Sequence, residues 1–111
     1  MPHAEIKYSA DMSLDTQAMM GLIETTVANH DSGAGAVKSR AYRVEDFQST
    51  HVLITLTLLP KAHRDAAFMN ALLADLTAGL KALVDQPCAF SLELAFNGPY
   101  YHTDYLQGAA T

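Results

Sequence analysis

The chain has 111 residues, half of them hydrophobic and 17% charged, which is the size of one domain and excludes intrinsic disorder. Twelve acidic against seven basic residues leave a net charge of -5, too few cations for a partner made of nucleic acid or anionic membrane. The lone Cys88 excludes an internal disulfide and a cysteine-cluster metal site, and it fits a reducing compartment.

Residues 3–9 alternate, with Ala4, Ile6 and Tyr8 to one side and Glu5 and Lys7 to the other, which predicts a half-buried strand. Asp11 or Ser13 is the expected cap of the helix that follows, because either side chain can accept from its first free amides. Leu14, Ala18 and Leu22 recur every four residues beside Met19, Ile23 and Val27, so two stripes merge into one apolar face. Asp31, Ser32, Gly33 and Gly35 are turn chemistry and stop this helix near His30. Residues 37–44 predict a second strand, followed by a polar turn from Glu45 to Thr50.

The order then repeats. Residues 51–59, rich in Val, Ile, Leu and Thr, predict a third strand that Pro60 ends. Asp65 is the expected cap of a second helix running to about Asp85, with Phe68, Leu72, Leu76, Leu80, Leu83 and Val84 as its apolar face. Pro87 stops it, residues 88–96 predict a fourth strand, and Asn97-Gly98-Pro99 is a turn. The longest apolar stretch, Val52 to Leu59, carries Thr55 and Thr57 and is far short of a membrane span. The opening MPHAEIKYSADM has neither the basic start nor the apolar run of a signal peptide, so a cytoplasmic location is expected.

The fold class expected is therefore α+β, a single domain over 1–111. Repeat halves at about 2–48 and 51–96 each form a β-α-β unit, and 97–111 form a carboxy-terminal segment. Each unit makes parallel neighbours, and together they form a four-stranded mixed sheet with both helices on one face. The apolar content of strands 3 and 4 suggests that the opposite face needs a cover, most simply another copy of the chain.

The chemistry begins at Pro2, which directly follows the first methionine. Methionine is normally trimmed before a residue as small as proline, which frees a secondary amine. Burial or nearby cations lower the pKa of such an amine, and a base tuned to the working pH can shuttle protons. The competing reading is that Pro2 only begins a strand, where proline is tolerated.

The opening Met1-Pro2-His3, the duplicated β-α-β order, the Lys38-Ser39-Arg40 segment and Arg64 before the second helix together resemble the 5-carboxymethyl-2-hydroxymuconate isomerase family. This is a branch of the tautomerase superfamily, and the likeness spans nearly the whole chain. The resemblance implies a homotrimer in which three sheets enclose a barrel-like space. It implies an allylic proton transfer on a 2-hydroxymuconate, with Pro2 as the catalytic base and no metal or organic cofactor. It further implies cations for the substrate's carboxylates. Lys38 and Arg40, two apart on one strand face, and Arg64, at the mouth of the second helix, are the candidates, with Lys61 close by in sequence. The family tends to carry arginine where this chain has Lys38, which keeps the charge and loses the two-pronged grip. Ala4, where a larger apolar residue is common, widens the pocket beside Pro2.

Lys7, Arg43 and Lys81 are read as solvated surface charges. His3, His30, His51, His63 and His102 are too widely spaced for a metal site, and His3 is read as structural or inter-subunit. Cys88 is read as a buried small hydrophobe. Tyr100, Tyr101 and Tyr105 make the last segment too aromatic for a free tail, so it is expected to lie across a neighbouring subunit. Two further readings stay open: a keto-enol tautomerase acting on an arylpyruvate-like acid, and a non-catalytic ferredoxin-like oligomerisation module.

Overall fold

A computed structural model describes residues 1–108. Strand β1 (His3–Ser9) runs into helix α1 (Thr16–His30) and strand β2 (Lys38–Val44). Strand β3 (His51–Leu58), helix α2 (Ala66–Lys81) and strand β4 (Ala89–Phe96) repeat that order. The sheet order is β2-β1-β3-β4, parallel within each half and antiparallel where β1 meets β3. The expected mixed sheet of two β-α-β units is therefore present.

Helix α1 starts later than its sequence suggested. Its cap is Asp15, whose Oδ1 accepts from the Ala18 amide at 3.0 Å, and not Asp11 or Ser13. Asp11 is engaged elsewhere, accepting from the Thr50 hydroxyl, and the Ser13 amide donates to Gln86 at 2.6 Å. Asp65 caps α2 as expected, accepting from the Phe68 amide at 2.9 Å. That helix ends at Lys81 and not near Asp85. Leu83 and Val84 instead close tight turns onto the Leu80 and Lys81 carbonyls, because Pro87 leaves no room for another helical turn.

Core packing follows the two periodicities. Met19, Ile23 and Val27 of α1 and Leu72, Leu76 and Leu80 of α2 are buried against Ala4, Ile6, Val52, Ile54, Leu56 and Leu58 of the sheet. Phe90, Leu92 and Leu94 of β4 pack against the same core. Fourteen apolar residues are buried in this layer, each side chain worth about 1.5–3 kcal/mol if fully buried.

The opposite sheet face corrects one expectation. Strands β3 and β4 look continuously apolar in sequence, yet register sends most of their large residues to the helices, Leu53 excepted. The open face carries Leu53, Thr55 and Thr57 on β3 and Ala89, Ser91, Glu93 and Ala95 on β4. Beside them stand His3, Glu5 and Lys7 of β1 and Lys38, Arg40 and Tyr42 of β2. This face mixes charged and polar groups with Leu53, Tyr42 and two alanines, so it is less apolar than the runs of β3 and β4 suggested.

The halves are joined outside the sheet as well. His30 of α1 bonds Asp75 of α2 at 2.6 Å, and Phe68 lies edge-on to both His30 and His63. Gly35, at a φ of 76°, makes the turn into β2 that a side chain would strain. In the carboxy-terminal segment, Tyr100 is fully exposed, Tyr105 76% and Leu106 81%, so this chain does not bury its own tail. Residues 109–111, the last of that expected segment, lie outside the described residues.

Candidate active site

Sheet register brings the candidate residues to one end of the molecule. Because β1 and β3 are antiparallel and His3 faces Thr57, Pro2 stands level with Leu58, the last residue of β3. Across β1 on the other side, the Lys38 amide donates to the Pro2 carbonyl at 2.9 Å. The amide of Asn97, just past β4, donates to the Leu58 carbonyl at 2.8 Å. The start of β1, the start of β2, the end of β3 and the end of β4 thus share one sheet edge.

Pro2 is buried, following the alternation that also buries Ala4 and Ile6. His3 points the other way. Its Nδ1 lies 2.6 Å from Arg40 Nη2, and its pKa is held below the ordinary imidazole value, first by desolvation and then by the Arg40 charge. Arg40 also donates to Glu5 at 3.2 Å. Lys38 and Arg40 share the open face as expected, but only Arg40 has an acid partner. Among the described residues, Lys38 has none.

Arg64 is buried, with a side chain 2% exposed. Its Nε and Nη2 donate to Asp31 Oδ2 at 3.0 and 2.9 Å, and its Nη1 donates to the Leu59 carbonyl at 2.7 Å. His63 Nε2 meets the same Asp31 oxygen at 2.8 Å. The His63 hydrogen bond and the Arg64 guanidinium hold the Asp31 carboxyl down to about 2, against the burial that would raise it. The carboxylate gripped by Arg64 in this chain is therefore Asp31.

The amino-terminal amine is held below the ordinary α-amino value. Desolvation is the first cause, followed by the charges of Lys61, Arg64 and Lys38. Two cations of the β3–α2 loop, Lys61 and Arg64, and one at the start of β2, Lys38, therefore act on the head of the chain. With Met1 in place the Pro2 nitrogen is an amide and has no basic lone pair.

Two participants at this edge carry little signal in sequence. Lys61 is exposed and, among the described residues, has no acid partner. Asn97 Oδ1 is buried without a hydrogen-bond partner among the described residues, although Asn97-Gly98-Pro99 reads only as a turn. A sequence pattern cannot show that β4 ends beside Pro2, since that follows from the antiparallel pairing of the halves.

Three surface hollows, the largest about 630 Å³ on the outer face of α2 near Leu73 and Thr77, are lined by none of Pro2, Lys38, Arg40 and Arg64. Among the described residues no cluster of three His, Cys, Asp or Glu side chains is arranged to hold a metal ion. Among the described residues no helix is long and apolar enough to cross a membrane. Cys88 is partly exposed and precedes β4, in a cleft beside Lys81 and Phe90, so it is less enclosed than expected.

No protein-family model matches the sequence, and no curated protein matches it. Solved structures do. A 5-carboxymethyl-2-hydroxymuconate delta-isomerase superposes with a TM-score of 0.79 at 16% identity, over 95% of this chain and 88% of that one. A 5-carboxymethyl-2-hydroxymuconate isomerase from Deinococcus radiodurans R1 gives 0.68 at 16% identity, over 94% and 90%. A fused 4-OT, a wild-type symmetric trimer, gives 0.69 at 15% identity, over 96% and 95%. The chain thus has the fold of these structures, and 5-carboxymethyl-2-hydroxymuconate isomerases are among its structural neighbours.

Proposed function

We propose that this protein is a cofactor-independent isomerase that moves an allylic proton on a 2-hydroxymuconate-type dienol carboxylate, with Pro2 as the base. The observation that carries the reading is the convergence of positive charge on a buried amino-terminal proline. Removal of Met1 turns the Pro2 nitrogen into a secondary amine, one residue deeper than the amine whose pKa is already depressed. Desolvation and the same cations favour its neutral form, which is the form that accepts a proton.

The steps balance within the substrate and one amine. Pro2 takes the enol hydroxyl proton, the electron pair moves along the conjugated chain to make the 2-oxo group, and the prolinium returns the proton to a carbon further along. Positive charge at the site stabilises the dienolate formed between these steps. Lys38, Arg40 and Arg64 are the cations proposed to serve the substrate's carboxylates. Lys38 has no internal acid to displace, Arg40 would exchange Glu5, and Arg64 acts through its charge because Asp31 fills its fork.

We further propose that the working form is a homotrimer. The tail tyrosines project without cover in one copy, and a neighbour of the same fold is a symmetric trimer.

The test uses protein whose intact mass shows that Met1 is gone. Absorbance should report ketonisation of 2-hydroxymuconate, lost in Pro2→Ala and in protein that retains Met1. Turnover of an arylpyruvate alone would change the substrate class. A trimer that ketonises no dienol acid at any pH would leave the oligomerisation module as the reading.

A further inference from the structure

We infer that Lys61 binds one end of a substrate with a carboxylate at each end, and that Arg64 is the positioning residue that presents Lys61. The inference rests on the isomerase reading above and assigns the site's second anion anchor.

The segment between β3 and α2 is laced by a single residue. The Arg64 amide closes a turn onto the Lys61 carbonyl at 2.9 Å, while its Nη1 reaches back to the Leu59 carbonyl at 2.7 Å. Its remaining donors anchor the segment to Asp31, the residue capping the end of α1. Pro60 stiffens the approach to Lys61, since its ring fixes φ and restricts Leu59. Direct binding of a substrate carboxylate by Arg64 would displace Asp31 and strand a carboxylate that is 8% exposed, which is strongly unfavourable.

Lys61 differs in each respect. It is exposed, it has no acid partner among the described residues, and it lies three residues beyond Leu58, which stands level with Pro2. Sheet order puts Lys38 on the β2 flank of Pro2 and starts the loop that carries Lys61 on its β3 flank. Two strand spacings separate those flanks by about 10 Å. Flexible lysine stems can close that distance onto the ends of a six-carbon dicarboxylate lying across Pro2. Because an ammonium is a point charge without a fixed fork, it accepts the carboxylate at many angles, which suits an anchor distant from the reacting bonds.

Trimmed protein and 2-hydroxymuconate provide the test. Lys61→Ala should raise KM about tenfold while kcat changes less than about threefold, and Lys61→Arg should restore most of the loss. Arg64→Lys, which keeps the charge and loses the fork, should lower the melting temperature and raise KM in the same direction. Unchanged KM in Lys61→Ala, in protein whose activity Pro2→Ala abolishes, overturns the assignment and leaves the proline reading standing. A raised KM in Arg64→Lys with none in Lys61→Ala likewise overturns it, giving the anion to Arg64. If no dienol acid is turned over, the proline reading fails. Calorimetric binding of muconate, which lacks the 2-hydroxyl group, then decides the anchor: an affinity that Lys61→Ala weakens about tenfold supports it, and none or an unchanged one overturns it.

Discussion

The two ends of the sheet are finished differently. At the end away from Pro2, polar groups find partners within the chain. The buried Ser9 hydroxyl accepts from the His51 amide at 2.9 Å and donates to its carbonyl at 3.3 Å. Asp11 accepts from Thr50, and Gln86 ties the Ser13 amide to the start of β4. At the Pro2 end, Lys38 and Lys61 lack acid partners among the described residues, and Asn97 Oδ1 is buried without a donor. Buried polar groups are normally satisfied, so the unmatched Asn97 Oδ1, at the end where two exposed lysines also lack acid partners, sets this end apart. The closed end holds the fold, whereas the unmatched end is available for chemistry.

Changes at the open end should break activity before stability. Retention of Met1, which makes the Pro2 nitrogen an amide, should lower kcat/KM about 10²–10⁴-fold in the absorbance assay and leave the urea midpoint unchanged. Arg64 is the exception at that end, since it serves both. Arg64→Ala leaves the buried Asp31 without its guanidinium, with only His63 and the Gly33 amide as partners, and should cost about 3 kcal/mol or more by urea denaturation. His63→Ala touches the same carboxylate from a ring 53% exposed to solvent, so its cost should stay under about 1 kcal/mol.

The same ion pair gives a pH dependence. Asp31 sits at about 2 folded against 3.8 unfolded, so the unfolded state binds more protons between those values. A depressed carboxyl contributes stability above the unfolded value and loses it as pH falls through the folded one. That contribution should be about 2 kcal/mol at neutral pH and fade from roughly pH 4 to pH 2 in acid-titrated denaturation. At the closed end, Ser9→Ala orphans the His51 amide and should cost about 1–2 kcal/mol with kcat/KM unchanged. Equal losses of activity from Ser9→Ala and Lys38→Ala would dissolve the contrast between the ends.

Elements and their order were legible in sequence. The alternation in 3–9, the Val, Ile, Leu and Thr content of 51–59, the Asp65 cap and the four-residue apolar stripes are local, and each maps onto the strand or helix observed. Local signals failed where two devices competed. Asp11 and Ser13 can cap a helix locally, yet Asp15 caps α1, and the Asp11 carboxylate is engaged by Thr50, 39 residues away. The continuous apolar look of β3 and β4 failed for a related reason, since a period of two assigns faces only once register is known.

Residue types alone marked Pro2 as a candidate base and the scarcity of cations as informative. Nearness was decided by the tertiary structure. The antiparallel pairing of β1 with β3 sets Leu58, and hence Lys61 and Asn97, beside Pro2. The burial of Asp31 turned Arg64 inward to meet it. Propensity and periodicity act over a few residues and so can be read along the chain, whereas a charge's partner depends on which distant segment the fold brings within reach.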